Sequence, residues 1–532
     1  MSLVLILVAC QGPAAISGPG VVLHEGGVVV CDDPSPRDGA PFDHGSSTSA
    51  GLQWAELHGG GLLVEDLDGD GWLDLLLPSE RRARLYWGPE GSFEIVDLDD
   101  LDLDYAVGVT AVDYDGDGDL DVFITRWGGA DVIYSSNQPI DVLKPNVLLR
   151  NDGNRRFTDV SLEAFGPSAP FLKSQSASWG DIDGDGDLDL FVGSYGDRAT
   201  LDVNDPQADC SDHRADPAEL WRNEGDGTFT DISAQLPQEA HDGYTFTSAL
   251  YDIDGDSLPE LFIANDDGLC APSLMLDNVD GTFVPHPGVG FHPDAHDMGM
   301  GVADLNGDEL PDFLMTSWKT ASYLQSSRSD DGRITWFDFT NDRGLGVDAP
   351  GDVGSPGQVY GWGAEFGDID NDADLDAIMV FGYWDYYTGP QDPKSQPDGL
   401  WLQDEDGRFS DQGEAWGLAH PGQSRGVVLS DLDNDGYLDI LKRRLDGDSP
   451  LSVSRCGDQA WARIRLRQPG PNTHAVGAKI RVFAGEGKQV RWIHSGSSGM
   501  YSGAPLEAHF GLGNAERITR IEVVWPDGAI SA

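Results

Sequence analysis

Apolar residues along this chain come in short runs, typified by Leu75–Leu77, Val122–Ile124, Leu190–Val192 and Leu261–Ile263. Runs of that length and composition read as strands rather than helices. Each follows a nine-residue aspartate-rich loop, and the loop recurs seven times: Asp66 (DLDGDGWLD), Asp113 (DYDGDGDLD), Asp181 (DIDGDGDLD), Asp252 (DIDGDSLPE), Asp304 (DLNGDELPD), Asp368 (DIDNDADLD) and Asp431 (DLDNDGYLD). A second element recurs between them: Leu85–Phe93, Leu148–Phe157, Leu220–Phe229, Leu274–Phe283 and Leu400–Phe409. Each of these reads as strand, tight Gly-containing turn, strand, with an aromatic residue returning to the core. The loop starts are separated by 47, 68, 71, 52, 64 and 63 residues, and a unit of that size cannot bury its own apolar face. Loop hairpin plus turn hairpin gives four strands per unit. The expected fold is all-β, a seven-bladed β-propeller over residues 41–456 with a small β domain at 457–532.

The loops carry the candidate chemistry. Oxygen-bearing side chains stand at positions 1, 3, 5 and 9 of each: Asp66, Asp68, Asp70 and Asp74; Asp113, Asp115, Asp117 and Asp121; Asp181, Asp183, Asp185 and Asp189; Asp252, Asp254, Asp256 and Glu260; Asp304, Asn306, Asp308 and Asp312; Asp368, Asp370, Asp372 and Asp376; Asp431, Asp433, Asp435 and Asp439. Side chains at alternate positions converge only if the backbone curls, which Gly or Asn at position 4 and Gly at position 6 permit through positive φ. Carboxylates so crowded repel unless a cation sits among them, and hard oxygen ligands of flexible number suit Ca²⁺, up to seven ions. An EF-hand would close with a bidentate Glu at position 12 and be flanked by helices. Here position 12 is Leu77, Ile124, Val192, Ile263, Met315, Met379 and Lys442, none of them a ligand. The copies at Asp252, Asp304 and Asp368 depart furthest from the pattern, with Ser257, Glu309 and Ala373 at position 6.

The loops with their preceding residues (WGDIDGDGDLDLFV, Trp179–Val192; MGVADLNGDELPDFLM, Met300–Met315) resemble the FG-GAP/VCBS repeats of integrin α-subunit propellers. FTDVSLEAFG from Phe157 and FTDISAQL from Phe229 resemble the strand endings of the same repeats. From about Gly457 the chain resembles the ASPIC/UnbV domain of the cartilage acidic protein family, on AVGAKIRVFAG (Ala475–Gly485), Ser495–Gly503, HFGLG (His509–Gly513) and IEVVWPDG (Ile521–Gly528). The family domain runs on past this last element, whereas this sequence ends four residues after it, so its last strand is expected to be absent. The resemblance implies a surface-exposed, calcium-stabilised adhesive or ligand-binding scaffold. It leaves open an enzyme or accessory biosynthetic factor acting in the propeller funnel, since UnbV-like proteins occur beside biosynthetic genes.

Net charge is −59 over 532 residues, and it is unevenly spread. The last 76 residues carry +3 and the first 456 carry −62. So acidic a surface argues against nucleic acid and anionic membranes as partners; a protein or glycan ligand and a monomeric state are expected. Leu7-Val8-Ala9-Cys10 after an apolar run resembles a bacterial lipobox, with residues 1–9 as signal, Cys10 lipidated and residues 10–40 a flexible linker. The expected location is therefore the bacterial cell surface or outer membrane, otherwise secreted. Four cysteines remain, and in an exported chain they read as two disulfides. Cys31 and Cys456 flank the propeller and could pin its closure; Cys210 and Cys270, in loops of adjacent repeats, form the second expected pair.

Enzymatic signals are thin. Gly422-Gln-Ser424-Arg-Gly426 matches G-x-S-x-G but leads into a strand without the strand-to-helix elbow. His286, His292 and His296 are close in sequence, yet Pro293 and nearby glycines exclude a helix that would align them for a metal. Trp179, Trp221 and Trp401 are expected in blade cores. Ligand contacts are expected from the long inserts Arg126–Leu148, Tyr195–Glu219 and Tyr383–Leu400, with Trp127, Tyr134, Tyr195, Trp384, Tyr386 and Tyr387 as aromatic candidates; Trp127, Trp318 and Trp384, just after the inner strands, could instead line the mouth of the central channel. Failing these, Ser495–Gly503 is the next candidate surface.

Overall fold

The computed structural model describes most of residues 60–532 and three short strands before them, Leu5–Leu7, Gly20–Glu25 and Arg37–Asp38. Within 60–532 the residues outside the description are 80–82, 89–92, 99, 128, 133–138, 143, 197–214, 269, 287–290, 293–294, 319, 348–358, 383–395, 419–420, 446, 454–456, 458 and 497–498. Cys10, Cys31, Cys210, Cys456, Tyr134, Trp384, Tyr386 and Tyr387 fall outside the described residues, so the lipobox and those aromatic candidates do as well. Cys270 is described, and it is disulfide-bonded.

The chain is all-β with a few single-turn helices. The first loop hairpin joins Leu63–Glu65 to Asp74–Pro78, and Ala83–Trp87 with Glu94–Asp97 completes an antiparallel four-stranded sheet. The same order recurs in a second sheet (Ala106–Val112, Asp121–Arg126, Val147–Asn151, Phe157–Asp159) and a third (Ser174–Gly180, Asp189–Ser194, Glu219–Asn223, Phe229–Asp231). It recurs again from Thr245–Tyr251 to Thr282–Pro285, from Asp297–Ala303 to Ile334–Asp338, and from Gly361–Gly367 to Phe409–Asp411. The final sheet has a different edge. Ser424–Ser430, Asp439–Arg444 and Leu451–Val453 are completed by the N-terminal Arg37–Asp38, paired with Leu451–Val453.

The first strand of each sheet touches the first strand of the next, and Ser424–Ser430 returns to touch Leu63–Glu65. Sheets arranged radially in this way form a propeller. Covered on both faces, the first strands are unbroken buried runs, as in Ala106–Val112 and Thr245–Tyr251. Crowding near the axis selects small residues. A Cβ on Gly299 would stand 2.0 Å from the Trp362 carbonyl oxygen, and one on Gly108 2.5 Å from that of Gln175. Close to these positions the register slips between Ala106 and Val109, Ser174 and Ser176, Thr245 and Thr247, Asp297 and Met300, Gly361 and Ala364, and Ser424 and Val427. A bulge at the same place in successive sheets bends each strand where the ring narrows.

Residues after Ala460 build two further sheets. Ala460–Arg467 lies between Gly20–Glu25 and Glu507–Gly513, and Lys479–Ala484 lies between Gly487–Trp492 and Ile518–Val524. A short strand, Ile530–Ser531, pairs with Val523–Val524. The hydrophobic core of these sheets, with Ile464, Ile480, Phe510 and Val523, is continuous with that of the second and third propeller sheets around Val122, Phe165 and Leu190.

Between Gly487–Trp492 and Glu507–Gly513 the chain enters the propeller axis. Ser495–Gly496 pairs with Ser178–Trp179; the Gly499 carbonyl accepts from Val427 N–H at 3.0 Å and the Tyr501 carbonyl from Val109 N–H at 2.9 Å. Gly503 exchanges backbone bonds with Leu62 and Val64. Met500 and Tyr501 are fully buried. The described residues of Ser495–Gly503 are therefore an internal plug, which removes this run as a ligand surface. Trp127 and Tyr195 are likewise buried, in an axial cluster with Tyr244, Phe246, Trp362 and Tyr501, because the first strands offer too little side-chain volume to fill that end of the axis.

Gly299→Ala places a methyl against a backbone carbonyl that has no rotamer to give. The expected cost is about 1–3 kcal/mol, read as a lowered denaturation midpoint with unchanged slope; an unaltered midpoint would mean that the axis is loosely packed.

Candidate metal-binding loops

The seven loops share one backbone. Position 4 is left-handed in every copy (Gly69, Gly116, Gly184, Gly255, Gly307, Asn371, Asn434). Position 6 is too, even where it is not glycine: Ser257 has φ 76°, Glu309 67° and Ala373 85°. The curl thus holds in the three copies that depart furthest from the sequence pattern.

Two hydrogen bonds recur throughout. Oδ2 of position 1 accepts from the N–H of position 6, as in Gly118 to Asp113 at 3.1 Å and Ala373 to Asp368 at 3.0 Å. The position-9 carboxylate accepts from the N–H of position 2, as in Ile182 to Asp189 and Ile253 to Glu260, each 2.9 Å. Its other oxygen accepts from the end of the third strand or the residue after it: Gly88 to Asp74 at 2.7 Å, Asn151 to Asp121 at 2.7 Å, Asn223 to Asp189 at 2.8 Å. Position 9 therefore ties loop, second strand and third strand together.

The carboxylates converge as expected, with one difference. Asp66, Asp68 and Asp70 bring oxygens within 4.8 Å of one another, as do Asp113, Asp115 and Asp121; Asp181, Asp183 and Asp189; Asp252, Asp254 and Glu260; and Asp368, Asp370 and Asp376. Asp117, Asp185, Asp256 and Asp372, at position 5, stand outside these threesomes; each accepts instead from the N–H two residues on. In the Asp304 loop, Ser326 Oγ donates to Asp312 at 2.7 Å, and Asn306 Nδ2 donates to Asp308 at 3.1 Å, so protein donors satisfy part of that cluster. Asp433, Asp435 and Asp439 keep the local pattern, with Tyr437 N–H on Asp435 at 2.8 Å and Leu432 N–H on Asp439 at 3.0 Å.

One feature points to a missing partner. Oδ1 of Asp66, Asp113, Asp368 and Asp431, all at position 1, is buried without a hydrogen-bond partner. A buried carboxylate oxygen lacking a partner is costly. Four such oxygens at the same loop position, each beside further carboxylates, fit a hard cation. Burial pushes the position-9 carboxyls up, against the pull of their N–H donors: Asp74 to about 8, Asp121 to about 9, Asp189 to about 8, Glu260 to about 9.

The C-terminal sheets dock on these loops, a contact the sequence reading missed although the charge asymmetry pointed to it. Arg463 Nη1 lies 3.3 Å from Asp431 Oδ2, and Arg465 Nη1 lies 3.1 Å from Asp66 Oδ2. Thr473 Oγ1 bonds Asp113 Oδ2, and Gly513 N–H donates to the Asn371 carbonyl at 2.8 Å. Glu309 receives Arg481 at 2.6 Å and Lys488 at 2.9 Å; burial alone would raise its carboxyl, but these cations and Lys479 bring it down to about 2. Also missed were asparagines that stitch neighbouring sheets. Nδ2 of Asn151, Asn223 and Asn278 donates to the carbonyls of Leu67, Tyr114 and Ile182, each at loop position 2 of the preceding sheet, at 2.7, 2.8 and 2.9 Å. Their signal was the Asn near the end of each third strand.

The weaker motifs resolve locally. Ser424 is buried in a first strand and donates to Asp398, which also pairs with Lys442 at 2.9 Å. His286 bonds Asp277, His292 bonds Asp297 and His296 bonds the Asp266 carbonyl, so each histidine has its own partner.

Residues 66–124, 128–192, 252–315 and 382–441 match the model of the FG-GAP-like repeat, and residues 468–532 match that of ASPIC and UnbV. Human cartilage acidic protein 1 is 25% identical over 499 residues, spanning 88% of this chain and 69% of that protein. The Xenopus tropicalis protein of the same name is 24% identical over 509 residues, spanning 88% and 70%. The mouse protein is 29% identical over 283 residues, 51% of this chain and 40% of its own length. Among solved structures, BBS1N in complex with ARL6DN aligns at 9% identity with a TM-score of 0.41, over 79% of this chain and 98% of that one, a score too low to carry weight.

Two outcomes follow from the loop geometry. Ala373→Gly relieves a left-handed alanine and should stabilise by about 1 kcal/mol, seen as a raised melting temperature. The second concerns pH in chelator. The raised position-9 carboxyls hold protons in the folded chain that the unfolded chain has already released above its ordinary carboxyl range. Metal-free protein should therefore lose stability as pH rises from about 4 towards 8–9; a melting temperature that climbs over that window would contradict the arrangement.

Proposed function

Because the chain carries FG-GAP-like repeats with a C-terminal ASPIC and UnbV domain and is homologous to cartilage acidic protein 1, we propose that it is a calcium-binding, seven-bladed β-propeller acting as a non-catalytic surface scaffold for adhesion or ligand binding. The repeats and the C-terminal domain point to a surface or adhesion-type scaffold. The observation that carries calcium is the partnerless, buried Oδ1 at position 1 in four loops. Blade number rests on the seven loop-bearing hairpins and on the return of Ser424–Ser430 to Leu63–Glu65. The reading includes export, with Cys10 as lipid attachment point, Cys31–Cys456 and Cys210–Cys270 as disulfides, and a protein or glycan ligand on a monomer.

At an affinity of ~10⁻⁴–10⁻³ M, usual for extracellular modules, millimolar Ca²⁺ contributes about 1 kcal/mol per site and several kcal/mol in all. EDTA should lower the melting temperature by roughly 5 °C, and Asp113→Ala should remove one site from a calorimetric titration. A melting curve indifferent to EDTA would sink the calcium reading. Glycan and matrix-protein arrays probed with and without calcium test the scaffold reading: calcium-dependent retention supports it. Turnover of a substrate in the same preparations would favour the enzymatic alternative.

A further inference from the structure

A cavity of about 300 Å³ opens between the second and third sheets. Phe123, Phe165 and Trp221 line it, and Phe165 meets Trp221 edge to face with ring centroids 5.1 Å apart. Leu162 and Phe171 line it too, yet are 71% and 44% exposed, which sets apolar side chains in solvent at its mouth. Exposed apolar groups around a concave, mostly apolar site are the ordinary dress of a small-molecule pocket.

Arg126 belongs to the same wall and is only 3% exposed. Its Nη1 donates to the Asp102 carbonyl at 3.1 Å, but Nε and Nη2 are buried without a hydrogen-bond partner. The nearest carboxylate is no substitute. Asp102 Oδ1 stands 3.5 Å from Nη2, its side chain is 60% exposed, and the same oxygen is bonded to Lys144. A buried guanidinium with idle donors is destabilising. Nε and Nη2 form the side-on fork that matches the two oxygens of a carboxylate. Two carboxyls share the wall: burial pushes that of Glu219 up to about 8, with Oε1 accepting from Trp221 Nε1 at 3.2 Å, and Oδ1 of Asp159 is held by the N–H and Oγ of Ser161.

We propose that this cavity binds a small carboxylic acid with an aromatic or branched apolar body, its carboxylate held side-on by Arg126 and its body against Phe165 and Trp221. The volume is at the small end of ligand pockets, roughly 300–1,000 Å³, which suits one ring on a short chain and excludes an oligosaccharide. A free acid and the C-terminus of a peptide ending in an aromatic residue present the same chemistry.

The experiment is calorimetric titration of the full chain with 3-phenylpropanoate, with its alcohol 3-phenylpropanol, and with N-acetylglycyl-phenylalanine. Saturable binding of a carboxylate is expected, with the alcohol and the Arg126→Gln variant each weaker by about tenfold or more. Should Arg126→Gln not fold, Phe171→Glu at the exposed rim sets a like charge over the mouth and is expected to show the same loss. Tighter binding of the dipeptide assigns the pocket to peptide C-termini, and tighter binding of the free acid to small metabolite-like acids. The proposal is overturned if no carboxylate binds saturably at millimolar concentration, if the alcohol binds as well as the acid, or if Phe171→Glu binds undiminished.

Discussion

Crowded carboxylates are the constraint around which this molecule is arranged. Oxygens from three acidic side chains lie within 4.8 Å of one another in one loop after another, and at that spacing a pair of ionised groups repels by roughly 3–4 kcal/mol at an effective dielectric of 20. The chain answers with left-handed residues at loop positions 4 and 6, which turn backbone N–H groups onto the carboxylates. It answers again with a basic C-terminal unit whose arginines and lysines lie on the same loops. In four of the seven loops neither supplies a partner for Oδ1 of position 1, whereas Asp181, Asp252 and Asp304 receive the N–H of position 4 there.

The loops, the hairpins and the all-β class were legible because each depends on residues a few positions apart: alternate oxygens, a small residue where the turn needs it, an apolar run after it. The departures at Ser257, Glu309 and Ala373 proved compatible with the curl, since the strain of a left-handed side chain is small beside the bonds that fix the loop. The docking of the C-terminal sheets was not legible. It joins Arg465 to Asp66, 399 residues apart, and no local period records such a contact. Insert length misled at Tyr195: it marked the residue for ligand contact, whereas filling the axis required it inside, beside Trp127, for which the central channel was the alternative.

Ser495–Gly503 shows how composition can hide order. A run of Ser and Gly reads as a flexible turn, yet a Cβ on Gly499 would stand 1.8 Å from the Val427 carbonyl, and its neighbours Met500 and Tyr501 are fully buried. Glycine here permits close approach of two backbones rather than freedom. The C-terminal unit is accordingly integral to the propeller, through its plug and through a hydrophobic core continuous with the second and third sheets.

The plug also dictates an order of assembly. It follows every propeller sheet in the chain, and its contacts bridge extreme separations, such as Leu62 N–H on Ser502 Oγ across 440 residues. The final sheet likewise waits for Arg37–Asp38, from the opposite end of the chain, to supply its edge. Contacts of that span close large loops and form late, so folding is slow relative to chain length. Without the plug and the Arg37–Asp38 strand the ring would carry an empty axis and an open edge, both of which expose unpaired backbone. Sealing by a plug that follows every propeller sheet in the chain closes the ring through contacts of long span, which favours slow unfolding over rapid folding as the source of durability.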